Sequence, residues 1–164
     1  MYYTALVSIC NIIWYSEVLK MYSVTIQSFL GELTILSTDA GVARVLTGAL
    51  QAESIPGDPF GAGLQLAQYL AGERFRFDLP VDISGTAFQK KVWRAASEIA
   101  YGSTVTYREL AGMIGSPNAA RAVGAALSRN PVPILIPCHR IVGSGGLTGY
   151  ALGLDFKKKL LDLE

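Results

Sequence analysis

The sequence predicts an α+β chain in two parts, a small N-terminal antiparallel-sheet domain followed by a mainly helical C-terminal domain with a helix-turn-helix. Three observations carry this reading. Between Tyr22 and Thr47 apolar residues partly alternate with polar ones, the period of a strand with one buried face. After Gly85 the apolar residues fall at helical spacing, and Thr residues followed three positions later by Gln or Glu mark helix starts. Charge divides at the same place. Residues 1–85 hold four Lys/Arg and eight Asp/Glu, net −4, whereas residues 86–164 hold ten and five, net +5.

In the first part, residues 22–29 and 32–37 read as strands with Gly31 between them, a hairpin, and residues 42–47 as a third strand. Residues 56–63 read as a loop. Residues 61–71 carry Leu64, Leu66, Ala67 and Leu70 at helical spacing, with Gly72 as a C-terminal cap. Residues 78–85, containing Pro80 and Ser84, read as the linker, which places the domains at 21–82 and 83–164. Met21 reads as a second start, leaving residues 1–20 as an upstream extension or an added strand. Their apolar run, 4–15, has no preceding Lys or Arg and no clear cleavage site, so it does not read as a signal peptide. It is also too short to span a bilayer.

In the second part, Thr86 and Gln89 form a capping box opening a helix to about residue 100, with Phe88, Val92, Ala95 and Ile99 on one side. Thr106 and Glu109 repeat the device, and Gly115 ends that short helix. Ser116 then caps a third helix with Pro117 at its first position, running to about residue 128. The last two of these helices make the helix-turn-helix. Residues 132–136, apolar with Pro133 inside, read as a buried segment at a sheet edge that delivers Cys138 to a fixed place. A final helix follows Asp155 as cap and carries Phe156, Leu160, Leu161 and Glu164 along one face.

Composition narrows the function classes. With 51% apolar and 16% charged residues the chain is globular rather than disordered. Two cysteines, Cys10 and Cys138, cannot build a framework of several disulfides, and a single His leaves too few ligands for a typical structural zinc site. No metal or cofactor is expected, and a reducing, cytoplasmic compartment is. The basic second part suits a polyanion, although a solvated cationic face would have the same composition. On its third helix Asn118, Arg121, Ala122, Ala125 and Arg129 share one face, and Ala120, Val123 and Leu127 the other. Two Arg among small residues suit close approach to a phosphate backbone or a minor groove, not major-groove reading by long polar side chains. The alternative is an Ala-rich helix packed on a neighbour.

Cys138 stands in Ile136-Pro137-Cys138-His139-Arg140. A buried Cys is usually an inert small hydrophobe, but the chain's one His is the next residue, and an unassisted thiol is only a few per cent thiolate at neutral pH. On a strand, adjacent side chains point to opposite faces, so either the chain turns at Pro137 or a water bridges the pair. Glu164 is either a frayed last residue or a buried partner for a cation or for His139.

Gly85-Thr86-Ala87-Phe88-Gln89 with Val92-Trp93, the run from Tyr101 to Tyr107, Arg121-Ala122-Val123-Gly124, Asn130-Pro131, the Pro-Cys-His-Arg core and the run from Leu160 to Glu164 resemble the O6-alkylguanine-DNA alkyltransferases. The resemblance covers residues 84–164 in order, and residues 22–82 match only in general pattern. It implies a ribonuclease H-like first domain and a winged-helix-like second one. By the resemblance, Cys138 attacks the alkyl carbon on O6 of guanine, or on O4 of thymine, in a single irreversible transfer. His139 is the base through a water, Glu164 holds its ring, Tyr107 protonates the departing guanine and Asn130 orders the active-site turn. Arg121 replaces the flipped nucleotide, with Asn118, Ala122, Ala125 and Arg129 along the minor groove. Val142, Tyr150 and Ala151 line the base pocket. The partner is double-stranded DNA containing O6-alkylguanine, bound by a monomer, with no membrane involved. Departures are Ala100, where a Pro commonly precedes Tyr-Gly, and Leu152-Gly153 in place of Gly-Gly. The rivals are a non-enzymatic alkyltransferase-like lesion binder, which would lack the cysteine; a regulatory helix-turn-helix module, which would have an unreactive thiol; and a Cys-His hydrolase, which would need a second His.

Overall fold

The computed structural model describes residues 20–48, 50 and 53–164. The extension expected over 1–20, including Cys10 and the apolar run 4–15, therefore lies outside the described residues except for Lys20. Strands β1 (Tyr22–Ser28) and β2 (Gly31–Ser37) form the expected hairpin, and β3 (Val42–Thr47) pairs antiparallel with β2. A short β4 (Ile55–Pro56) lies parallel to β1, giving the order β3-β2-β1-β4. It falls at the start of the stretch read as a loop. Pro56 has no N–H to give, but the N–H groups on either side donate, Ile55 to Met21 O and Gly57 to Ser23 O, each at 2.9 Å, so an edge tolerates it. Central strand β2 is buried on both faces from Leu33 onward, and its polar Thr34 is satisfied by Thr25 Oγ1 at 3.0 Å and Gly48 O at 2.8 Å.

Helix α1 (Ala62–Leu70) begins where the Asp58 carboxylate accepts the N–H groups of Ala62 at 2.7 Å and Gly63 at 2.9 Å. Gly72, at φ 75°, follows its last turn as expected. The buried face differs from the expected one. It comprises Ala62, Gly63, Leu66, Tyr69 and Leu70, and Leu64 is 65% exposed. Leu64 lies about 200° round the helix from Ala62, on the opposite side. The linker has no regular structure but is pinned to the sheet. Val42 N–H donates to Pro80 O and Asp82 N–H to Val42 O, each at 2.9 Å, and Thr38 Oγ1 donates to Asp82 Oδ2 at 2.6 Å. A Cβ at Gly41 would sit 2.7 Å from Pro80 O, so only glycine allows this approach.

Both predicted capping boxes form, Thr86 with Gln89 opening α2 (Ala87–Ser97) and Thr106 with Glu109 opening α3 (Tyr107–Met113). α2 ends sooner than expected, capped at Glu98. Helix α4 (Ala120–Leu127) starts later than expected, and Ser116 is not its cap. Ser116 N–H closes the end of α3 on Ala111 O, and its carbonyl accepts Ala119 N–H, each at 2.8 Å. Residues 116–119 are therefore a turn, and Asn118 sits in it ahead of the helix. Trp93 Nε1 donates to Ala126 O at 2.9 Å and ties α2 to α4.

Residues 132–136 are buried apart from the half-buried Leu135, but form a tight loop rather than a strand, with Ile134 at φ 75°. The Asn130 side chain supplies what a ladder would have: its Oδ1 accepts Val132 N–H at 3.1 Å and its Nδ2 donates to Ile136 O at 2.9 Å. Pro131 O accepts Val45 N–H at 3.0 Å, which joins this loop to β3. Cys138–Arg140 then form a single 3₁₀ turn, followed by β6 (Ile141–Val142), which pairs parallel with β5 (Val105–Thr106). Helix α5 (Leu154–Leu163) is preceded by Gly153 rather than capped by Asp155, which lies in its first turn. One continuous apolar core runs from Leu33 and Leu66 through Val92 and Leu110 to Leu160. No helix among the described residues is long and apolar enough to cross a membrane.

Candidate active site

Cys138 opens the 3₁₀ turn and is buried, at 5% exposed. The chain does turn at Pro137, at φ −80° and ψ 61°. Asn130 Nδ2, already fixed on Ile136 O, also donates to Cys138 Sγ at 3.1 Å. Burial pushes the thiol pKa up, against the Asn130 hydrogen bond, the local backbone and the Lys157 charge, so the resting group is the thiol and a base is needed.

The neighbouring His139 is completely buried, and its Nε2 lies 2.7 Å from Glu164 Oε1. Glu164 is not frayed: its side chain is 1% exposed. Arg140 grips it in a fork, Nε on Oε2 at 2.9 Å and Nη2 on Oε1 at 3.0 Å, and Gly102 N–H donates to Oε2 at 3.1 Å. Burial alone would raise the Glu164 carboxyl, but hydrogen bonds from His139, Arg140 and Tyr69 outweigh it and pull the pKa down to about 2. An ionised carboxylate only accepts, so Nε2 carries the proton and donates it to Oε1. Burial, aided by Arg140 and Lys157, lowers the imidazole pKa against the pull of Glu164. The ring is therefore neutral, with a lone pair on Nδ1, and Nδ1 has no partner among the described residues.

Above Cys138 lies a cleft of ≈ 430 Å³ lined by Tyr107 from α3, Gly124 and Leu127 from α4, Ser128 at its C-terminal end, and the loop 148–151. Of the three residues expected at a base pocket, Tyr150 and Ala151 line this cleft; Val142 pairs with Thr106 in the β5–β6 ladder and is not among the lining residues. Tyr107 OH rests on the carbonyls of Thr148 at 3.3 Å and Gly149 at 3.2 Å, and burial raises its pKa, so it enters any reaction as a donor. Tyr150 OH is buried without a partner among the described residues. Arg121, Ala122 and Ala125 are exposed on the outer side of α4, with Arg129 exposed just past its end and Asn118 exposed in the turn before it. The arrangement can deprotonate a thiol, receive a planar group beside it, and protonate what departs.

Two residues at this site escape sequence reasoning. Lys157, fully buried on α5, donates from Nζ to the carbonyls of Ile141 and of Thr148, the latter at 2.8 Å, and lies 5.9 Å from the Tyr107 ring centroid. Its position three residues before Leu160 on the apolar face of α5 was a usable signal. Tyr69 donates to Glu164 Oε1 from α1, and nothing in the local sequence distinguishes it from a core aromatic.

Fold and site together place a buried cysteine at the floor of a cleft, next to a buried histidine paired with a carboxylate, beside an exposed helix-turn-helix. Residues 87–164 match the family described as 6-O-methylguanine DNA methyltransferase, DNA binding domain. The chain is 46% identical over 154 residues to the methylated-DNA--protein-cysteine methyltransferase of Methanosarcina barkeri, covering 88% of this chain and 97% of that one. It is 45% identical over 152 residues to the enzyme of that name from Mycobacterium tuberculosis, covering 85% of this chain and 90% of that one. The crystal structure of Mycobacterium tuberculosis OGT in complex with DNA superposes with a TM-score of 0.79 at 41% identity, covering 87% of this chain and 91% of that one. This chain belongs to the methylated-DNA--protein-cysteine methyltransferase family.

Proposed function

We propose that this protein repairs DNA by direct reversal, moving the alkyl group from O6 of guanine in double-stranded DNA onto Cys138, once per molecule. The observation that carries the reading is the thiol at the base of the cleft, beside a neutral imidazole whose proton is committed to Glu164. His139 Nδ1 takes the Cys138 proton through one water. Sγ then attacks the alkyl carbon; the S–C bond forms, the O6–C bond breaks, and its electron pair stays with the guanine, to which Tyr107 gives a proton. A thioether is not cleaved by water, so the acceptor is spent. The same chemistry on O4-alkylthymine needs only that the smaller base seat in the cleft.

A cleft of ≈ 430 Å³ holds a base but no duplex, so the damaged nucleotide must leave the stack. Arg121 fills the gap it leaves, and Asn118, Ala122, Ala125 and Arg129 lie along the minor groove. Asn130 keeps the thiol in place, and Tyr150 and Ala151 receive the base. In this reading residues 83–164 are the DNA-binding and active-site domain, residues 21–82 support them, and the protein acts as a cytoplasmic monomer. A lesion binder without chemistry would have no use for the thiol and its buried base.

Mixing the protein with a duplex containing O6-methylguanine is expected to add the mass of one methyl group to the Cys138 peptide, at no more than one per protein. Cys138→Ser is expected to bind the duplex and gain nothing. No adduct on the wild-type protein, or an adduct that survives the substitution, overturns the proposal.

A further inference from the structure

We propose that Tyr69, from α1 in the N-terminal part of the chain, is a positioning residue that acts through Glu164 to hold His139 in its neutral, proton-accepting form. The inference rests on the role given to His139 above. Its observation is that one carboxylate oxygen, Glu164 Oε1, serves donors from three residues: His139 Nε2 at 2.7 Å, Arg140 through Nη2 at 3.0 Å and Nε at 3.2 Å, and the Tyr69 phenol.

A carboxylate oxygen that is shared pulls less on each proton it receives. Without the Tyr69 hydroxyl, the charge on Oε1 is left to Arg140 and His139, and it stabilises the imidazolium more strongly. The imidazolium carries protons on both nitrogens and cannot take one from Cys138. The hydroxyl thus keeps the His139–Glu164 pair from storing a proton in the resting protein.

Tyr69 is built for this. It is fully buried, its ring lies 5.0 Å from that of Phe77 and edge-on to Tyr101 at 5.9 Å, and its hydroxyl has no freedom to turn to solvent. Burial, with the carboxylate beside it, pushes its pKa far up, so the phenol remains a donor across the working pH range. The other groups facing His139 are Arg140 and Cys138 from its own turn, Lys157 from α5 and the ring of Tyr150 at 6.5 Å. Arg140 and Lys157 are cations that also disfavour the imidazolium. Tyr69 is the member of this set supplied by the acidic first part of the sequence.

The chain has a single His, so its ring protons give one resolved NMR titration. Tyr69→Phe keeps the ring packing and is expected to raise the His139 pKa by about half a unit to one unit, a fraction of what a hydrogen bond to a charged group is worth. The acid limb of the Cys138 alkylation rate is expected to move up by the same amount. On that limb the variant is then about three- to tenfold slower, and at high pH the two profiles merge. Replacing Tyr69 by 3-fluorotyrosine, a stronger donor of the same shape, is expected to shift both readings the other way. Superposable titrations, or a loss of rate equal at every pH, overturn the inference. A wild-type protein that fails to accept an alkyl group would instead overturn the proposed reaction and leave the His139 titration readable.

Discussion

Replacing Glu164 by Gln separates two contributions of one buried carboxylate. In the folded protein its pKa is held at about 2, against an ordinary 4.5. Between those values the unfolded chain binds a proton that the folded chain refuses. The stabilisation is therefore complete above about pH 4.5 and is lost as pH falls toward 2, amounting to about 3 kcal/mol. His139 acts with the same sign, because its pKa is lowered from 6.5 and acid protonates the unfolded imidazole first. Gln cannot ionise, so the variant loses the Glu164 part of the slope, while the His139 part remains and extends to lower pH, because the charge that pulled the imidazole pKa up is gone. At neutral pH it also strands Arg140, 6% exposed, without its counter-charge, a loss of about 3–5 kcal/mol. Urea unfolding followed by tryptophan fluorescence, repeated from pH 3 to pH 7, reads both effects. Equal slopes for the two proteins below pH 4.5, or a neutral-pH loss under about 1 kcal/mol, would refute the account of Glu164 as a buried, ionised anchor.

Asn130→Ala removes the acceptor of Val132 N–H and donors to Ile136 O and Cys138 Sγ, all in buried surroundings, and is expected to cost about 2–4 kcal/mol in urea unfolding. It should also raise the pKa of the thiol, read from the pH dependence of its reaction with iodoacetamide. Arg121→Ala, at an exposed position, is expected to leave unfolding within about 0.5 kcal/mol of wild type. Under the proposed function it weakens duplex binding and slows repair in DNA while reaction with the free alkylated base is kept; equal losses on both substrates would argue against a role in base flipping.

The sequence by itself determined the features that depend on near neighbours. The hairpin around Gly31, the two capping boxes and the end of α3 at Gly115 came out as expected, because each is set by hydrogen bonds or a backbone angle within a few residues. The Pro-Cys-His-Arg run marked Cys138 and His139 as the candidate pair for the same reason: thiol and imidazole are adjacent in the chain.

Only the tertiary structure decided what long-range packing controls. Leu64 faces out because β1 covers the other side of α1, and a periodicity that fits two faces cannot choose between them. The buried segment before Cys138 is a loop because the Asn130 amide satisfies its backbone, a contact no strand propensity encodes. Ser116 is drawn to the end of α3 instead of opening α4, since its N–H has a partner there. Above all, Glu164 could equally have been a frayed end or an anchor. Arg140, Gly102 and Tyr69 decide it, by bringing donors from three separate stretches of chain to one carboxylate out of reach of water.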